Sequence, residues 1–137
     1  LKAMCHGKKN IFMKAAVSDD DYSALLSAAD LLIVNERSTQ MEMSLPSKLT
    51  SYLYSNRPVL AAVPRGGATW KFLDGVTELV EAGNPRLLAR KIEELSNDPE
   101  RLTQMAALGA RFAKENLDPE VGRAKYLNWV KELLRFK

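Results

Sequence analysis

Residues that commonly hold metals or attack substrates are almost missing from this sequence: it has one cysteine and one histidine. Cys5 alone excludes an internal disulfide and any cysteine-cluster metal site. Such cysteine usage fits a reducing compartment without requiring one. His6 alone excludes zinc sites of the histidine-rich kind. The two are neighbours in sequence, and neighbours on a helix do not aim at one point, so both read as structural. No run approaches the roughly 18 apolar residues of a membrane span. Gly66-Gly67 lacks the G-x-G-x-x-G spacing, so there is no dinucleotide fingerprint. Neither a low-complexity tract nor a solenoid-period repeat is visible. The first residues, Leu-Lys-Ala-Met-Cys-His, are neither a Met start nor a signal peptide. The expectation is a chain cut from a longer one.

What is present describes an ordinary globular domain. The 137 residues are 46% hydrophobic and 27% charged, enough for one domain with a real core. The formal charge is +3 and the pI near 9.0. The last nineteen residues hold five basic side chains, Arg123, Lys125, Lys131, Arg135 and Lys137, against Glu120 and Glu132. This segment suits either an anionic partner or a solvated helix face, and the second is preferred, with no nucleic acid expected.

Along the chain, Leu1 to Lys8 reads as the tail of a helix stopped at Gly7. Ile11-Phe12-Met13 reads as a buried strand. Ser18 followed by Asp19-Asp20-Asp21 offers a cap and an acidic first turn, and Tyr22, Leu25, Leu26 and Ala29 follow at helical spacing as core. Leu31 to Val34, Val59 to Val63 and Thr77 to Val80 are further strands. Pro46 opens a short helix with Leu49, Tyr52 and Leu53 as its buried stripe. Ala68 to Leu73 is another short helix. From Asn84 onward the chain is helical, broken at Asn97-Asp98-Pro99 and Asp118-Pro119. Tyr126, Val130, Leu133 and Leu134 share the last apolar face, and Trp129 lies beside them as core or interface. Trp70, Tyr126 and the methionines are likewise read as core or interface. Four continuous apolar strands alternating with helices predict an α/β fold with a parallel sheet.

The chemistry concentrates between Val34 and Leu53. An apolar strand runs into a polar loop, Asn35 to Leu45, and then into a helix N-terminus at Pro46-Ser47-Lys48. Open α/β sheets hold anionic ligands at such junctions. Lys48 in a first turn is slightly unfavourable unless an anion is near, so it marks either an anion site or a solvated lysine. Glu36 and Glu42 could bind sugar hydroxyls, act as acid and base, or merely face solvent. Polar neighbours Arg37, Ser38, Thr39 and Gln40 argue against an apolar pocket that would raise a carboxyl pKa. Gly66-Gly67 allows either a close backbone approach to a ligand or a simple turn.

These runs together carry a family resemblance. Ala29-Asp30-Leu31-Leu32-Ile33-Val34, then Ser44-Leu45-Pro46-Ser47-Lys48-Leu49-Thr50-Ser51-Tyr52, then Arg57-Pro58-Val59 resemble the C-terminal half of a GT-B fold retaining glycosyltransferase. Asn35-Glu36-Arg37 followed by the run from Ser44 to Tyr52 resembles bacterial exopolysaccharide enzymes of the colanic-acid type. Gly66-Gly67, Glu81 to Pro85 and Asp98-Pro99-Glu100 fall at comparable turns. The implied fold is a Rossmann-like parallel sheet with flanking helices, truncated at the N-terminus and followed by a helical C-terminal segment. Residues 1–137 would be a partial nucleotide-sugar-binding domain. Two central strands would be absent, leaving Ile11 to Met13 as an edge strand.

The resemblance also implies roles. The donor substrate would be a nucleotide-diphosphate sugar, with no further cofactor and no metal. Ser47 and Lys48 would lie near the diphosphate, and the loop from Glu36 through Ser44 and Leu45 would face the sugar. Ala16 and Val17 would border the nucleobase through their backbone. Many relatives carry two glutamates eight positions apart, the second seven before the proline of the next strand. Here those positions are Met43 and Ser51. Ser51 could bond a ribose hydroxyl only as a neutral group, and Glu42 would substitute for the first glutamate. A carbohydrate or lipid-linked acceptor would bind through a missing N-terminal domain, to which the last helix would cross back. The expected location is cytoplasmic or peripheral at the inner face of the membrane. This chain alone is expected to be inactive, and its open sheet to self-associate. The rival functions are a nucleotide-sugar epimerase of the same architecture and a non-catalytic binding or assembly module.

Overall fold

A computed structural model of the chain describes residue 5, residues 7–39 and residues 45–135. Three strands, β1 (Leu32–Asn35), β2 (Val59–Val63) and β3 (Glu78–Glu81), form one parallel sheet in the order β1-β2-β3. The register sets Leu32 beside Val59 and Asn35 beside Ala62, then Leu60 beside Glu78 and Val63 beside Glu81. Six helices complete the described chain: α1 (Asp19–Ala28), α2 (Ser47–Tyr54), α3 (Ala68–Leu73), α4 (Pro85–Ser96), α5 (Pro99–Asn116) and α6 (Pro119–Arg135). No helix among the described residues is long and apolar enough to cross a membrane.

Local chemistry explains most boundaries. The Ser18 hydroxyl accepts from the Asp21 N–H at 3.2 Å, and three aspartates meet the positive end of α1. Asn84 caps α4 by accepting from Leu87 N at 3.0 Å, and Asp98 caps α5 by accepting from Arg101 N at 2.9 Å. Each cap precedes a proline whose fixed φ suits the first turn. Helix α2 ends where Asn56 turns left-handed at φ 55°, and Pro58 then holds Arg57 out of the helical region.

All five β2 residues are buried, because helices cover both faces of this central strand. Val59, Ala61 and Val63 meet Leu49 and Leu53 of α2, Leu73 of α3 and Ala113 of α5. Leu60 and Ala62 point the other way, to Val80, Leu95 of α4 and Met105 of α5. Each Val or Leu so buried contributes about 1.5–3 kcal/mol. Helix α5 serves both layers, and Gly109 lets it close on α2: a Cβ there would stand 3.2 Å from Leu53 Cδ2.

The α/β fold with a helical C-terminal stretch is as expected, but the sheet has three described strands. Ile11-Phe12-Met13 is not a strand; the three residues are exposed, and no neighbouring strand takes up their backbone groups. Helix α1 is not core either. It buries no residue, and only Leu26 and nearby Ala29 pack inward, because the sheet ends at β1 and offers the helix one side only. Pro46 stands one position outside α2. On α6, Tyr126, Trp129, Leu133 and Leu134 are exposed and so are not core, although the two aromatic rings pair at 6.0 Å. The expected helix before Gly7 falls mostly outside the described residues; Gly7 itself has φ +76°, and Lys8 N donates to Cys5 O.

Candidate functional site

Because the strands are parallel, all three release their loops at one edge, the edge where open α/β sheets receive ligands. These loops are tied together. Glu36 N donates to Ala62 O at 2.9 Å, carrying the ladder one residue beyond β1. The Thr69 hydroxyl in α3 donates to Glu36 Oε1 at 2.9 Å, joining the loop after β1 to the helix after β2. Gly83, at φ +82° in the loop after β3, lies so near Ser38 that a Cβ would stand 3.1 Å from the serine Cβ. Only glycine meets both demands. Between the strand ends Asn35, Ala62 and Glu81 and the start of α4 is a cavity of about 110 Å³. That suits a few waters or one small polar group, since sites for larger ligands run to about 300 Å³ or more.

The sequence-derived candidates fall into four places. Glu36 is half-buried and tied to Thr69 as described. Leu45, Ser47 and Lys48 are exposed at the entry to α2. Ser51 is half-buried one turn further on and lines a groove of about 290 Å³ between α1 and α2, shared with Tyr22, Leu26 and Tyr54. Ala16 and Val17 are exposed before α1, where Val17 borders a separate depression with Lys14 and Leu25. Glu42 and Ser44, like Met43, lie outside the described residues. Thus Ser47, Lys48 and Ser51 share one helix directly downstream of Glu36, while Val17 opens on a different surface.

The entry to α2 is electropositive by construction. No side chain among the described residues caps it, and its first turn has no acid but does have Lys48. The first N–H groups of such a helix are free to bind, and the peptide dipoles add about half a positive charge. The loop after β2 adds Arg65, whose guanidinium carbon stands 5.6 Å from the centre of the Trp70 ring. Such an edge can hold an anion on N–H donors and a lysine, and can offer the Glu36 carboxylate to hydroxyl groups.

Sequence reading missed Thr69, the buried polar side chain behind Glu36. It stands in Ala-Thr-Trp-Lys-Phe-Leu, a segment legible as a short helix with nothing to mark a partner 33 positions away. Ser38 and Gly83 escaped for the same reason.

The protein family described as Glycosyl transferases group 1 matches residues 1–111. The matched span covers all three strands, Glu36, Lys48 and Thr69, and ends inside α5. No curated protein and no solved structure matches the chain. A transferase family favours sugar transfer over the epimerase and assembly-module readings.

Proposed function

This chain belongs to the group 1 glycosyl transferases, and we propose that it is the donor-binding domain of one that uses a nucleotide-diphosphate sugar. In this reading residues 1–137 are part of the C-terminal half of a retaining GT-B enzyme of bacterial exopolysaccharide synthesis. The sugar goes to a carbohydrate or lipid-linked acceptor held by another domain. The observation that carries the reading is the entry to α2. Among the described residues no side chain caps it and its first turn holds no acid; it carries Lys48 and follows the loop that leaves β1 at the carboxyl edge.

The chemistry follows from where charge develops. As the bond from the sugar carbon to the diphosphate oxygen breaks, negative charge grows on the leaving diphosphate. The N–H groups at Ser47 and Lys48 and the lysine ammonium stabilise that charge without reorganising, so they favour the transition state over the bound donor. Glu36 accepts hydrogen bonds from sugar hydroxyls, a role that the family resemblance extends to Glu42. Leu45 brings its backbone to the donor, and Ser51 reaches the ribose.

Calorimetric titration of the chain with UDP, GDP, uridine and guanosine tests this. Lys48→Ala should weaken the cognate nucleoside diphosphate by about tenfold, the scale of one charge-assisted bond, and leave the nucleoside unchanged. Equal losses for both would remove Lys48 from the phosphate. Absence of binding by the unmodified chain would defeat the reading.

A further inference from the structure

We infer that Thr69 is a positioning residue, aiming the Glu36 carboxylate at the hydroxyls of the transferred sugar; this rests on the reading of Glu36 given above. Thr69 is 2% exposed, the one buried polar side chain among the described residues. A buried hydroxyl must be bonded or it costs stability. Thr69 lies in the first turn of α3, where no carbonyl four residues back belongs to its own helix, and its hydroxyl reaches outside α3 to Glu36 Oε1.

The platform behind this bond is stiff. Gly67 starts α3 against β2, where its N–H donates to Pro64 O and an added Cβ would stand 3.1 Å from that same oxygen. Phe72 meets Phe112 of α5 edge-on at 5.0 Å, and Leu73 is fully buried. On the other side, Glu36 is fixed through its backbone N–H to Ala62. Both ends of the Thr69–Glu36 bond are therefore anchored to the sheet. An ionised carboxylate has about four acceptor positions. Thr69 takes one on Oε1, and Oε2 takes no bond from a described residue. Glu36 is half-exposed, and in this proposal its second oxygen receives the sugar hydroxyls. Restricting the carboxylate before the ligand arrives lowers the ordering cost of binding it.

The test compares nucleotide sugars with their nucleotides on the whole 137-residue chain: UDP-glucose against UDP, and GDP-mannose against GDP. The unmodified chain should bind the cognate sugar form more tightly than the nucleotide. Thr69→Val keeps the volume and removes the donor. It should weaken the nucleotide sugar by about three- to tenfold, with no change for the nucleotide and an unchanged thermal midpoint. Thr69→Ser should restore the affinity. In a Glu36→Ala background, Thr69→Val should cause no further loss. If Thr69→Val does not melt cooperatively, Thr69→Ala, which also lacks the donor, is read in the same way.

Four results would overturn the inference while leaving the donor-binding proposal intact. These are unchanged affinity for the sugar form in Thr69→Val, equal loss for sugar and nucleotide, failure of serine to restore, and additivity with Glu36→Ala. Equal affinity of the unmodified chain for UDP and UDP-glucose, and for GDP and GDP-mannose, would also overturn it. Failure of the unmodified chain to bind any of the four compounds would instead defeat the donor-binding proposal, and this inference with it.

Discussion

The two borders of the sheet are built from similar residues and end differently. At the β3 border, Glu78 is 19% exposed and receives Arg101 of α5 through Nε at 3.0 Å and Nη2 at 2.5 Å. Lys91 of α4 stands 3.9 Å from its other oxygen, and Leu95 beneath is buried. At the β1 border, α1 buries no residue and Phe12 is 83% exposed. Apolar content does not separate the two, since Ile11, Phe12, Met13 and Leu25 are as apolar as Leu87, Leu88, Ile92 and Leu95. What separates them is a second layer. Helices α4 and α5 together cover Val80 on one face of β3 while Leu79 packs into the opposite layer, whereas α1 packs inward only through Leu26 and the adjoining Ala29. An apolar run becomes core only where a partner surface closes over it.

The comparison breaks most sharply under truncation of single side chains. Leu53→Ala, in the layer between β2, α2 and α5, should cost about 2–5 kcal/mol, because the site is fully closed and cannot collapse. Phe12→Ala, a larger truncation, should stay within about 0.5 kcal/mol. Urea unfolding of the two variants measures both. A loss above about 1.5 kcal/mol for Phe12→Ala would mean that the β1 border is packed in solution, and the contrast would fail.

A smaller effect tests the ion pairs at the β3 border. Arg101→Met keeps most of the stem and removes the guanidinium from Glu78. The hydrogen bond that Arg101 donates to Glu78, and then the glutamate's charge, hold the Arg101 pKa above the usual arginine value. Yet Arg101 is about half exposed, so solvent screening keeps the pair's contribution small. Urea midpoints should show a small loss in low salt and a smaller one in 1 M sodium chloride, where the Debye length is about 3 Å. A loss unchanged by salt would assign the effect to packing of the stem.

Where a feature depended on local chemistry, it was legible in the sequence. Strand β2 has the bounds read from Val59 to Val63, β1 and β3 are shifted by one residue, and the Asn84-Pro85 and Asp98-Pro99 starts are where capping rules put them. Ile11-Phe12-Met13 and the core reading of α1 failed because an apolar run does not reveal whether a neighbour exists. The site divides in the same way. Glu36 and Lys48 stood out as charges beside a strand end and in a helix start. The Thr69 hydroxyl and the Ser38–Gly83 approach join segments far apart in sequence, and a single sequence has no mark for such pairs. Glu42 and Ser44 lie outside the described residues.

The smallest effect reports on how firmly α1 is held. Partial burial of Tyr52, which lies on α2 and packs against the core, raises its pKa above its ordinary value of about 10, and Tyr22 on α1 raises it further by charge repulsion between the phenolates. A tyrosine whose folded pKa is raised favours the folded state while neutral. Its contribution is complete below the unfolded value and is lost as pH climbs through the folded one. Stability should therefore decline at alkaline pH, and Tyr52→Phe should lessen that decline relative to the unmodified chain. Tyr22→Phe removes only the charge term, so in spectrophotometric titration Tyr52 should ionise at lower pH than before. That second shift requires α1 to remain beside α2. If Tyr22→Phe leaves the Tyr52 titration where it was, α1 spends its time away from the body, and the β1 border is looser than its contacts through Leu26 and Ala29 imply.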